Sequence, residues 1–110
     1  MKFNQRDIVF VDFPYTDLSG SKLRPALIIS TELVNDTGDY ICLQITSKEY
    51  NDGMFFKINE KHLTVPLKLQ SGIRLNKIFS VNKNKVVRKI SSFKASSFAL
   101  VGKEFRQIAF

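Results

Sequence analysis

The chain has 110 residues, 44% of them hydrophobic, and carries 17 Lys/Arg against 10 Asp/Glu for a net charge of +7. That length and apolar content suit one compact domain over 1–110 that needs no metal or disulfide, and they exclude a disordered chain or a repeat array. The apolar runs are too short to span a bilayer, the N-terminus lacks a signal-peptide core, and the single cysteine, Cys42, fits a reducing cytoplasm.

The first strand is read over 7–13, DIVFVDF, which is dense in β-branched and aromatic residues and ends at Pro14. YTDLSGSK follows as a Gly/Ser loop with accessible backbone amides. Residues 25–30, PALIIS, form a continuous apolar strand whose Pro25 takes a first position, where no ladder donor is needed. TELVNDTGD reads as a connection, with Asn35, Asp36 and Gly38 as turn residues. Over 40–48, YICLQITSK, alternation points Ile41, Leu43 and Ile45 one way and Cys42, Gln44 and Thr46 the other. Cys42 is read as a small buried hydrophobe.

The turn NDG at 51–53 leads into a strand over 54–58, MFFKI, and KHLTVPLKL reads as an irregular edge strand around Pro66. His62, the single histidine, reads as solvated. In 71–76, SGIRLN, Ile73 and Leu75 turn inward, with Arg74 and Asn76 together on the opposite face. KIFSV (77–81), the turn NKNK and VVRKI (86–90) complete the strands. Only SSFKASSFALVGKEFRQI reads as a helix, capped by Ser91 or Ser92, with Phe98, Val101, Phe105 and Ile108 forming one apolar stripe. Short strands closed off by one helix predict a mainly β fold, a small antiparallel barrel with minor α.

Charge is unevenly placed: residues 1–53 balance to −3 and residues 54–110 to +10. Such asymmetry points to a polyanionic partner, either nucleic acid or an acidic protein, and no segment has the amphipathic character of a membrane binder. Three groups supply donors suited to phosphate: Arg24 at a loop-to-strand junction, Thr46-Ser47-Lys48 at a strand end, and Arg74 with Asn76. Each has a plainer reading as well. Arg24 suits a barrel rim, covering it with its aliphatic stem, and Thr46 and Ser47 suit a strand cap. Nucleotide-loop, paired-histidine and clustered-cysteine motifs are absent, so no metal and no cofactor is expected. Metal-free RNA cleavage fits such a toolkit, because the 2′-OH attacks its own neighbouring phosphate and the protein need only align it and stabilise a dianionic phosphorane.

RDIVFVDFPYTDLSGSKLRPALIIS followed by ICLQITSK, then SGIRLNKIFSVNK and the helical tail, resembles the MazF/PemK family of toxin endoribonucleases from type II toxin–antitoxin systems. The resemblance covers nearly the whole chain. It implies an SH3-like antiparallel barrel with a C-terminal helix, acting as a homodimer on single-stranded RNA and restrained by a cognate acidic antitoxin. Cleavage in such proteins is sequence-specific and leaves 2′,3′-cyclic phosphate and 5′-OH ends. By the same resemblance, Arg24 is the active-site arginine and Thr46 the catalytic hydroxyl, with Ser47 beside it. In the PemK-like branch Arg74 would pair with an aspartate, but that position is Asn76, whose amide cannot serve as a base. RNA-binding roles are expected for Ser47, Lys48, Arg74 and Asn76, and for Asp17, Ser19 and Ser21 of the loop that would cover bound RNA. Arg6 stands where many relatives have glycine. The other reading is a non-catalytic, CcdB-like inhibitor that binds a protein target such as gyrase.

Overall fold

A computed structural model describes residues 2–14 and 20–110, so Asp17 and Ser19 lie outside the described residues. Six strands, β1 (Asp7–Pro14), β2 (Ser21–Ile28), β3 (Asp39–Thr46), β4 (Phe55–Lys57), β5 (Gly72–Asn82) and β6 (Val86–Ser92), build one sheet. Two helices accompany them, a single turn α1 (Glu32–Asn35) and the C-terminal α2 (Ala95–Ala109). All pairings are antiparallel, in the order β4-β5-β3-β2-β1-β6.

The sheet curls strongly. Phe13 of β1 reaches Phe79 of β5 edge to face, ring centroids 4.9 Å apart, although β2 and β3 lie between their strands. After β4 a 3-10 turn at Glu60–His62 carries the chain across to the outer edge of β6. There Leu63 bridges Phe93, and the Thr64 amide donates to the Ser92 carbonyl at 2.9 Å. The edge that β6 would leave unpaired is covered by this segment, and the sheet closes into a barrel-like wrap.

Both faces of the sheet are buried, which explains why PALIIS is apolar at successive positions instead of alternating. On one face Ile8, Leu27, Leu43, Ile45 and Ile73 pack with Val101 of α2 and with Leu63 and Phe93. On the other, inside the curl, Val9, Val11, Ala26, Ile28 and Cys42 form a second core closed by Phe3, Tyr40 and Val86. Cys42 is fully buried there, and burial pushes its thiol pKa up to about 12.

Several expectations are corrected. Ser91 and Ser92 do not cap a helix. They end β6 opposite Ile8 and Asp7, and the Ser91 hydroxyl donates to the Val65 carbonyl at 2.6 Å. The helix begins four residues beyond Ser91, at Ala95, after Lys94 as its N-cap. Its stripe holds through Phe98, Val101 and Phe105, but Ile108 is 37% exposed beyond the core. No strand forms over KHLTVPLKL, and TELVNDTGD contains α1. His62 is half-buried, stacked 16° from parallel on Phe93, and its Nδ1 accepts the Asn59 amide at 3.0 Å. The segments 71–76 and 77–81 are a single strand, β5, broken by a bulge.

Candidate active site

Residues that face each other across an antiparallel ladder point to the same side of the sheet. Val11 lies opposite Arg24, Ala26 opposite Gln44, and Gln44 opposite Arg74, which in turn lies opposite Phe55. Thr46 lies opposite Gly72. The β2–β3 register, carried two residues past Ala26–Gln44, sets Arg24 opposite Thr46. Arg24, Thr46, Gly72, Phe55 and Arg74 therefore share one face of four strands. It is the face of the second core, and it turns polar at the end where β1 gives way to β2. At this end alternation adds Lys22 and Lys57 to the face, Lys57 with Glu49 at 4.0 Å, and at the far end of β1 it adds Asp7, paired with Lys89 at 3.2 Å.

Arg24 is exposed and Arg74 half-buried, and among the described residues neither guanidinium has a carboxylate within 4.0 Å. A guanidinium fork of this kind suits an anion. The Thr46 hydroxyl oxygen accepts the Lys48 amide at 3.1 Å. That bond occupies a lone pair and leaves the hydroxyl proton free to be donated outward. Ser47 and Lys48 are exposed next to it, and Ser21 is exposed at the start of β2, opposite Pro14.

Asn76 lies where the β3–β5 ladder is interrupted. Leu43 pairs with Ile78 while Gln44 pairs with Arg74, so a single step along β3 spans four residues of β5. Asn76 sits exposed in this bulge without a ladder partner, so strand pairing does not fix its place relative to Arg74.

Three further residues take part that sequence reasoning left unassigned. The Arg74 guanidinium carbon lies 3.9 Å from the centroid of the Tyr50 ring, and the Lys48 ammonium 5.3 Å from it. The Phe55 ring is tilted against Tyr50 at 6.1 Å and covers Gly72, where a Cβ would stand 2.1 Å from the Phe55 ring. An aromatic residue stranded in the polar turn SKEYNDG was the available signal for Tyr50. Gly72 was legible as a glycine at a strand entry, where backbone and ring approach closely.

Among the described residues no group of three or more His, Cys, Asp or Glu side chains is placed to hold a metal ion, and no helix is long and apolar enough to cross a membrane.

The family model described as "PemK-like, MazF-like toxin of type II toxin-antitoxin system" matches residues 4–109. The chain belongs to that family. No curated protein matches the sequence. Among solved structures, this PemK/MazF-like toxin is similar to the Deinococcus radiodurans MazE-MazF complex, with a TM-score of 0.80 at 14% identity over 98% of this chain and 96% of that one. It is also similar to a mycobacterial endoribonuclease in complex with its cognate antitoxin, at TM-score 0.76 and 12% identity over 96% and 92% of the two chains. The Mycobacterium tuberculosis toxin MazF-mt6 gives 0.73 at 17% identity over 93% and 94%. At these identities the likeness is one of fold. The mainly β toxin fold with its C-terminal helix, expected from the sequence, is the fold observed.

Proposed function

We propose that the chain, read as one toxin domain over 1–110, is a sequence-specific endoribonuclease that cuts single-stranded RNA, mRNA included, without a metal ion. The observation that carries this reading is the single face on which Arg24, Thr46 and Arg74 lie together, with Lys22 beside them. An RNA phosphate seated there meets two guanidinium groups and a hydroxyl whose proton is free. The 2′-oxygen bonds to phosphorus as the P–O5′ bond breaks. The 2′-OH loses its proton, the 5′-oxygen gains one, and a 2′,3′-cyclic phosphate and a 5′-OH remain. Arg24 offsets the charge that builds on the non-bridging oxygens, and Thr46 donates a hydrogen bond to one of them. Asn76 supplies neither acid nor base.

A cytoplasmic homodimer restrained by an acidic antitoxin completes the reading. The +10 balance of residues 54–110 supports a polyanionic inhibitor as readily as it supports RNA. Ser21, Ser47 and Lys48 are the exposed polar residues next to Arg24 and Thr46, and Asp17 and Ser19 precede Arg24 in the sequence.

The test is cleavage of defined RNA by purified protein in excess chelator, with the product ends mapped. Metal-independent cutting that leaves cyclic phosphate ends is expected. Arg24→Ala should lower the rate by at least about 100-fold, as loss of a transition-state donor does, with the fold unchanged by circular dichroism. Full cleavage by that variant removes Arg24 from the mechanism. No cleavage by the wild type leaves an inhibitor of a protein target.

A further inference from the structure

Arg74 is held in an unusual way. It stands in β5 between Gln44 and Phe55, half-buried, and its Nε is buried without a hydrogen-bond partner among the described residues. An unsatisfied buried donor is costly, and one kept at a candidate site calls for a compensating use. No carboxylate fixes the side chain among the described residues; the face of Tyr50 does, 3.9 Å from the guanidinium carbon. The distinction matters chemically. A carboxylate would orient a guanidinium but neutralise it and occupy its fork of donors. An aromatic face orients it through the ring quadrupole and leaves both the charge and the in-plane N–H groups unspent.

Tyr50 is itself fixed, tilted against Phe55 at 6.1 Å. Phe55 in turn lies on Gly72, in the same β5 segment that carries Arg74 and pairs with Thr46. The chain of contacts from Gly72 through Phe55 and Tyr50 returns to Arg74 and makes a closed support.

Building on the RNA reading above, we infer that Tyr50 is a positioning residue: its ring holds the Arg74 guanidinium, uncompensated and with its donors free, for a phosphate oxygen of single-stranded RNA. The Tyr50 hydroxyl is not needed for this.

The test uses the full chain and a fluorescent, uncleavable 2′-fluoro single-stranded RNA of mixed sequence, with affinity measured against salt. Each phosphate contact on a single strand contributes about 0.7 to the slope of log K against log salt. Tyr50→Leu, which changes no charge, should lower that slope by about 0.7, and Arg74→Ala should lower it by the same amount. The double variant should fall no further, and Tyr50→Phe should keep the wild-type slope. Affinity should drop about tenfold with Tyr50→Leu at moderate salt and fully recover with Tyr50→Phe.

A wild-type slope in Tyr50→Leu overturns the inference, because Arg74 then reaches phosphate without its platform. A slope further reduced in the double variant than in Arg74→Ala overturns it too, since Tyr50 then acts on RNA independently. Loss of binding in Tyr50→Phe would assign the work to the hydroxyl. Each of these leaves the RNA reading standing, whereas a wild-type protein that does not bind the RNA at all overturns both.

Discussion

Adding one methyl group at Gly72 tests whether the site depends on a close approach between ring and backbone. A Cβ there would stand 2.1 Å from Cζ of Phe55 and 2.5 and 2.6 Å from the two Cε atoms. Ordinary contact begins at 3.4 Å, so the ring edge must retreat from 2.1 to 3.4 Å, about 1.3 Å, a shift of the kind that overpacking forces at about 1–3 kcal/mol. Opposing this, alanine removes the conformational freedom that glycine brings to the unfolded chain, worth about 0.5–1 kcal/mol. The net expectation for Gly72→Ala is a loss of about 1 kcal/mol, seen as a fall in Tm of about 4 °C. RNA cleavage should fall further than stability does, because Phe55 supports Tyr50 and Arg74. The decisive measurement is a double-mutant cycle with Phe55→Ala, followed by urea denaturation. Once the ring is gone, Gly72→Ala should cost nothing or stabilise by about 0.5 kcal/mol. An equal cost with and without the ring would place the strain in the backbone and refute the ring-contact account.

Two other perturbations follow from residues outside the site. Arg6 has φ of 82°, the left-handed region that favours glycine, and among the described residues its side chain contributes only a 3.4 Å bond to the Phe93 carbonyl. Arg6→Gly relieves about 1–2 kcal/mol of backbone strain against about 0.5–1 kcal/mol of added chain entropy, so denaturation should show it neutral to about 1 kcal/mol more stable. Cys42, raised from 9.0 to about 12 by burial, should resist iodoacetamide in the native state and react on unfolding. The sign is that of a raised pKa: the neutral thiol's contribution is complete below pH 9.0 and is lost as pH rises from there toward about 12. Stability of the wild type should fall across that window more than that of Cys42→Ala.

Much of the sheet was legible because burial on both faces leaves dense apolar runs, and β1 and β3 emerged with errors of one or two residues. The start of α2 was not. Two serines before an amphipathic stretch are a sound capping signal, but here their hydrogen bonds go to Val65 and Thr64, partners 26 and 28 residues away. Local pattern cannot see such a competitor. At the site, the hydroxyl and the two arginines stood out by residue type and by resemblance. Tyr50 did not, because what singles it out is a stack with a residue 24 positions later, created when β3 and β5 pair. Ile73 and Leu75 turned inward as alternation predicts, and beyond them the bulge leaves Asn76 without a ladder partner that would place it.

That bulge has an evolutionary side. Before it, even-numbered residues of β5 face the second core, as Gly72 and Arg74 do; after it, odd-numbered ones do, as Phe79 and Val81 show. The strand is thus two independent phrases joined by an adjustable spacer. Substitutions in the spacer, including an amide at position 76, alter the chemistry at the rim without disturbing the ladder on either side. Arg74 and Phe79, an odd number of positions apart, face the same core only because the bulge interrupts alternation, so losing a single spacer residue would leave both halves facing as they do. Related toxins can therefore be expected to vary this segment in side chain and in length more freely than the paired residues on either side of it.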